Sequence, residues 1–277
     1  MAEIGKFNTL TVLKKKDFGV YLDADELGEI LLPRNSCPED IEVGFPIRVF
    51  IYLDSEDQLI ATTEKPYAIV GEFAMLKASA VNQTGAFMDW GLSKDVLLPF
   101  SEQRQRPVEA GRRYLVYIYV DQHTNRIVCS TKIDKFLDKT PPRYKTGDEV
   151  DLVIANRTDL GQKAIINGEH WGMLFKSDLL KTLYPGQRLT GYIKEVRPDG
   201  KINLSMQKPG YAKVTDASGA ILEMLNDQDG YITINDKSSP EVIFKAFGIS
   251  KKAFKMAVGA LLKQGKITIE PGGLRLK

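Results

Sequence analysis

Two cysteines, two histidines and two tryptophans in 277 residues leave little material for metal or redox chemistry. Cys37 and Cys129 stand 92 positions apart, with no CxxC and no histidine-rich neighbourhood, so two reduced, semi-buried thiols and no metal are expected. No apolar run approaches the roughly 20 residues of a membrane helix. The opening MAEIGKFNTL lacks the apolar stretch of a secretory signal, which makes the cytoplasm the expected compartment and a membrane partner unexpected. Catalytic constellations are missing too. His123 and His170 read as turn residues without a Ser, Cys or Asp partner at a motif spacing. There is no GxxxxGK(S/T), no GxGxxG after a strand, and EPGGLRLK reads as a turn. The carboxylates of LDADELGE lie in a loop of the least basic region, a poor place to hold a catalytic Mg²⁺. The expectation is therefore a binding protein, with no enzyme activity, no cofactor and no small-molecule substrate.

What is present is ordinary globular composition, 43% hydrophobic and 27% charged, enough for several domains. The net charge of +2 hides an uneven distribution. Residues 1–68 carry 7 basic and 13 acidic side chains, whereas the rest carry 31 and 23. Such an arrangement steers a polyanion toward the later domains, or is simply solvated surface charge.

The stretch FGVYLDADELGEILLP (Phe18–Pro33) recurs 66 residues later as TGAFMDWGLSKDVLLP (Thr84–Pro99), with Gly, an aromatic, Asp and Leu-Leu-Pro at shared offsets. Downstream of Gly44, Gly111 and Gly186 come three similar endings: a strand, a polar turn (DSEDQ, DQHTN, RPDGK) and a strand finishing in Ser or Thr. Three such units, nearly all strand, have the size of small five-stranded barrels. Alternation puts Ala86, Met88 and Trp90 toward one barrel core, and Val20 and Leu22 toward another. Tyr21 and Phe87 then point outward, beside a glycine that leaves one flank open. An outward ring either stacks a base or packs against the neighbouring barrel. Asp23 and Asp89, on the same face, would repel phosphate. Pro33 and Pro99 end strands.

After Thr215 the periodicity becomes helical. DASGAILEMLND places Ile221, Leu222 and Leu225 on one face. Ser239 reads as an N-cap with Pro240 at the first helical position, the helix stops at Gly248, and Ser250 opens a second helix. Two helices joined by a glycine-containing turn, followed by KITIEPGGLRLK, read as a helix-turn-helix with a wing. In the second helix Phe254, Ala257, Val258, Leu261 and Leu262 form the buried stripe, and Lys251, Lys252 and Lys255 fall off it near the N-terminus. No Arg, Asn or Gln stands beside them to read base edges, which favours phosphate contact; the alternative is a solvated face on a protein-docking domain.

Taken with these motifs, the repeat resembles the RNA-binding OB fold of ribosomal protein S-one. Three copies plus a winged helix resemble the conserved virulence factor B family of bacterial RNA-binding regulators over essentially the whole chain. The resemblance implies a mainly β, multidomain protein: OB-fold barrels at 1–66, 67–138 and 139–210, and an α/β winged helix-turn-helix domain at 211–277. It also implies an RNA surface built from two aromatics, a His and a basic residue. The first barrel offers Phe18 and Tyr21, with Pro33 and Gln58 at the other two positions. The second has Thr84, Phe87, Pro99 and Arg126. The third has Leu160, Lys163, Phe175 and Lys201. No copy is complete, so several weak surfaces sharing one strand are expected. His170 and Trp171, read as a turn before GMLF, add a ring that either stacks a base or belongs to the core. Arg157, Arg188 and Arg197 are possible phosphate contacts. The expected partner is single-stranded RNA, with nucleic acid more generally at the winged helix and Lys251, Lys252 and Lys255 as its contacts. The alternative is a transcription factor whose winged helix binds duplex DNA while the barrels dock proteins. The segments DKTPPRYKTG and QKPGYAKVTD read as linkers.

Overall fold

The structure, a computed structural model, describes residues 1–104, 106–179, 181–207 and 213–277, without the side chains of 213–216. Strands β1 (Phe7–Lys16), β2 (Gly19–Asp23), β3 (Glu29–Pro33), β4 (Pro46–Leu53) and β5 (Leu59–Thr62) close into a barrel of order β1-β2-β3-β5-β4. The ring recurs in β6 (Phe73–Val81), β7 (Gly85–Asp89), β8 (Val96–Pro99), β9 (Arg113–Val120) and β10 (Ile127–Ser130). It recurs again in β11 (Glu149–Arg157), β12 (Gly161–Ile166), β13 (His170–Phe175), β14 (Arg188–Val196) and β15 (Ile202–Ser205). In each ring the third and fifth strands run parallel, pairing Leu31 with Ile60, Leu97 with Val128, and Leu174 with Leu204. A bulge sits at one place in every first strand, at Val12/Lys14, Ala78/Ala80 and Ile154/Asn156. It bends the strand enough to join both neighbours in a small barrel.

The repeated punctuation has physical causes. Each of Asp54, Asp121 and Asp199 accepts backbone N–H groups of its own hairpin turn: Asp54 from Glu56 and Gln58 at 2.9 Å, Asp121 from Thr124 at 3.0 Å and His123 at 2.8 Å, and Asp199 from Lys201 at 3.2 Å. Those backbone donors hold the Asp121 and Asp199 carboxyls below their ordinary range. The turn then needs a left-handed residue, supplied by Asp57, Asn125 and Gly200. The glycine that opens β2 and β7 does not leave a flank open, contrary to expectation. A Cβ on Gly19 or Gly85 would lie 2.3 or 2.4 Å from the carbonyl oxygen of Leu32 or Leu98, and Gly161 repeats the approach to Leu174. These glycines let two backbones touch. Asp23 and Asp89 are likewise occupied locally, accepting from Asp25 and Gly91 N–H groups.

The described chain divides into two compact units, residues 1–140 with 168–170, and residues 141–167 with 171–277. Within the first unit, Phe50 and Tyr52 of the first barrel share one apolar cluster with Met88, Leu98 and Ile118 of the second. Trp90, 2% exposed, sits edge-on to Phe50 at 5.6 Å between ring centroids and donates its indole N–H to the Lys94 carbonyl at 2.6 Å. It faces inward, as alternation requires, and also joins the two barrels. Cys129 is fully buried in β10 rather than semi-buried; Cys37 is half-buried, and burial raises its thiol above the ordinary value.

The last part of the chain holds α1 (Lys213–Asp227), β16 (Tyr231–Ile232), α2 (Pro240–Phe247), α3 (Lys251–Lys263), β17 (Ile267–Glu270) and β18 (Gly273–Leu276), the strands forming a sheet of order β16-β18-β17. Ser239 caps α2 by accepting from Val242, Gly248 ends it in the left-handed region, and Ser250 caps α3 by accepting from Ala253. Ile221, Leu225, Phe254, Ala257, Val258 and Leu261 are buried together. Leu262, expected on that stripe, is 38% exposed because the stripe turns off the core in the last helical turn. The boundary expected at 210–211 and much of the linker 207–216 lie outside the described residues. Among the described residues no helix is long and apolar enough to cross a membrane.

Candidate nucleic-acid interface

On the first barrel the expected ring pair is present. Phe18, 55% exposed, meets Tyr21 edge to face at 6.2 Å. β1 pairs with β2 so that Lys14 lies opposite Tyr21 and Lys16 opposite Gly19. That register brings the Lys14 ammonium to 4.8 Å from the Tyr21 ring while it also pairs with Glu29. Lys15 and Lys16 are exposed alongside. The net negative charge of residues 1–68 thus conceals a local cationic edge, Lys14–Lys16, that the sequence reading missed. Hairpin pairing of LKKKDFGVYL was the signal that could have found it.

On the second barrel Phe87 and Arg126 line one cleft of about 200 Å³, together with Thr84, Lys94 and first-barrel residues Tyr52 and Asp57. Arg126 is ion-paired with Asp57, and the Lys94 ammonium reaches the other oxygen of that carboxylate at 3.4 Å. Lys94 also donates to the Asp54 carbonyl. A first-barrel turn therefore neutralises Arg126, the basic residue that the second barrel has at the position the resemblance marks. Phe87 is half-buried and lines this cleft together with residues of the first barrel.

On the third barrel β13 alternates buried and half-buried residues, placing Trp171, Met173 and Phe175 outward. The Lys163 ammonium lies 3.6 Å from the Trp171 ring centroid. Lys163 stands where an aromatic belongs in the resemblance, and a cation–π pair occupies that face instead. One expectation is corrected: His170 and Trp171 open a strand rather than a turn. Trp171 is half-buried and lies outside the core cluster of the third barrel. His170 is 3% exposed, with Nε2 2.7 Å from the Thr140 carbonyl oxygen and Nδ1 3.9 Å from Glu169, which leaves its ring no open edge for a base. Lys201 and Arg197 flank Asp199 in the β14–β15 turn at 3.3 Å each, and Lys201 is 74% exposed. Lys252 and Lys255 of α3 are exposed and Lys251 is half-buried; among the described residues none of the three has a carboxylate within ion-pair distance.

Replacing Asp57 with Asn tests the clamp on Arg126 and Lys94. Asn tolerates the left-handed turn position, and the pairs are solvent-exposed, so stability should change by less than about 1 kcal/mol. If phosphate occupies this cleft, RNA affinity should rise and its salt dependence should steepen by about 0.7 per freed cation. A loss of affinity in binding titrations would show instead that Asp57 orders the cleft for its ligand.

The fold defines a class of protein: tandem OB barrels ending in a winged helix. Residues 4–64 match the S1 domain model, and residues 219–276 match the CvfB-like winged helix domain model. These domains suggest nucleic-acid binding, and neither family is an enzymatic one. The resemblance to the conserved virulence factor B family is shown over most of the chain. Conserved virulence factor B of Staphylococcus saprophyticus is 24% identical over 86% of this chain and 82% of its own length. The uncharacterized protein YitL of Bacillus subtilis is 28% identical over 97% of this chain and 92% of its own. A solved multidomain protein with nucleic acid binding domains, from Streptococcus pneumoniae TIGR4, aligns over 99% of this chain and 98% of its own at 23% identity and a TM-score of 0.43.

Proposed function

We propose that the protein is a cytoplasmic regulator of gene expression that binds single-stranded RNA across the outward faces of its barrels and the lysine-bearing end of α3. The observation that carries this reading is the pairing of ring and cation on each barrel: Tyr21 with Lys14, Phe87 with Arg126 in one cleft, and Trp171 with Lys163. An unpaired base takes a ring face that the cation leaves free, and phosphate takes the cation by displacing Glu29 from Lys14 and Asp57 from Arg126. Duplex DNA keeps its base faces stacked and offers none to such rings. The three lysines of α3 offer charge without a bidentate partner for base edges, which supports phosphate contact there.

Competition binding tests the reading. Labelled single-stranded RNA should be displaced by unlabelled RNA and not by duplex DNA, with the logarithm of affinity falling linearly in log salt. Displacement by duplex DNA in preference to RNA would favour the winged-helix transcription factor with docking barrels.

A further inference from the structure

The second barrel carries a larger cleft away from Phe87. It is an open groove of about 790 Å³, and none of its lining residues is shared with the Phe87 cleft. Two segments far apart in sequence build it: the chain after the single turn Phe100–Glu102, and the single turn Ile133–Phe136 that follows β10. Arg104, Arg106, Lys132 and Lys135 converge on it. Val108, which is buried, and the half-buried Tyr114 also line it.

The four cations are not equally neutralised. Arg104 is held in place, its Nε donating to the Thr131 carbonyl at 3.0 Å and its terminal nitrogen pairing with Asp134 at 2.7 Å. Lys135 pairs with Glu102 and lies over the rings of Tyr119 and Phe136 at 5.1 and 4.8 Å. Burial would raise the Glu102 carboxyl, but the hydrogen bond and charge of Lys135, with help from Ser130 and Tyr119, hold it below its ordinary value. Glu102 is therefore a full counter-charge at neutral pH. Lys132, by contrast, donates to a neutral carbonyl, that of Ser101, at 2.7 Å. Arg106 is exposed and has no carboxylate within ion-pair distance among the described residues. Four positive charges thus face two negative ones, and the excess sits on Lys132 and Arg106.

An isolated small anion would need only part of this space. Cations spaced along an open groove, with an aromatic ring in its lining, suit a chain of phosphates carrying planar groups. We propose that this groove, through Arg106 and Lys132, binds the phosphodiester backbone of single-stranded nucleic acid, as a second contact of the second barrel independent of Phe87 and Arg126. The proposal rests on the RNA reading above.

The test compares the wild-type chain with Arg106→Ala/Lys132→Ala on a long unstructured RNA, by fluorescence anisotropy over a range of salt. Both side chains are exposed, and a thermal melt verifies folding. The double variant should bind several-fold more weakly at low salt. Its slope of log affinity against log salt should be shallower by about 1.4, at roughly 0.7 for each of two single-strand phosphate contacts. Arg106→Lys/Lys132→Arg should keep both values. Wild-type binding with an unchanged slope and affinity in the alanine variant overturns the groove and leaves the RNA reading standing. No RNA binding by the wild type overturns both. Polyglutamate at matched charge that binds the wild type and not the alanine variant, while RNA binds both alike, assigns the groove to acidic peptide and overturns the proposal.

Discussion

Replacing Phe18 and Tyr21 together with alanine is expected to weaken single-stranded RNA binding by about 30-fold or more, without unfolding the first barrel. Each lost base stack is worth roughly 1–3 kcal/mol, and about 1.4 kcal/mol is a factor of ten. Phe18 is more than half exposed and meets Tyr21 only edge-on, while the barrel core consists of other residues, such as Leu22, Ile30, Leu32 and Ile51. Stability should therefore move by well under the cost of a core truncation. The salt slope should hold nearly steady, since the rings carry no charge; a small fall would follow if Lys14 loses its seat over Tyr21. Equilibrium titration with a parallel urea denaturation separates the two effects. An unchanged affinity would mean that the first barrel does not touch the strand, and an unfolded variant would mean that the rings support the barrel.

The largest effect on stability is expected from Trp90→Ala. The indole fills the cluster shared by the first two barrels, lies edge-on to Phe50, and satisfies the Lys94 carbonyl. Truncating a buried aromatic leaves a cavity and costs about 3–5 kcal/mol. Here an acceptor is also left without its donor. In a unit of this size each kcal/mol lowers the melting temperature by roughly 2–4 °C, so a fall of about 10 °C is expected. The third barrel and winged helix have cores of their own and should keep their melting behaviour. Calorimetry of the whole chain would show one transition displaced and another in place. A loss of less than about 1 kcal/mol would contradict the description of Trp90 as a joint between barrels.

Both expectations depend on features that the linear sequence displays unequally. The repeat was legible because each copy must solve the same local problem. A glycine is needed where β2 or β7 touches the backbone of the next strand, a carboxylate caps the hairpin turn, and proline ends a strand. Helix limits at Ser239, Gly248 and Ser250 were legible for the same reason: a cap needs only its neighbours. The cations of the site were harder to read, because their meaning depends on distant partners. Arg126 stands at the family position, yet its carboxylate partner is 69 residues away, on another barrel. Lys14 gains its ring only through a bulged pairing register. His170 was misplaced because Gly168 and Glu169 do make a turn, and nothing local signals that the strand begins one residue later. The second groove escaped notice altogether, since Arg106 and Lys132 meet only after the barrel closes.

The charge asymmetry also acquires a physical sense. The acidic first barrel sets Asp57 against two cations of the second, so part of the positive charge downstream is already spoken for inside the chain. Among the described residues Lys15, Lys16, Arg106, Lys132 and the lysines that open α3 are cations without a carboxylate at ion-pair distance.

Ultraviolet crosslinking of the whole protein to single-stranded RNA, followed by mapping of the attached residues, tests the central claim most directly. Adducts should fall on the outward rings of separate barrels, Phe18 or Tyr21, Phe87, and Trp171 or Phe175. Adducts confined to the winged helix, with all of those rings untouched, would contradict it.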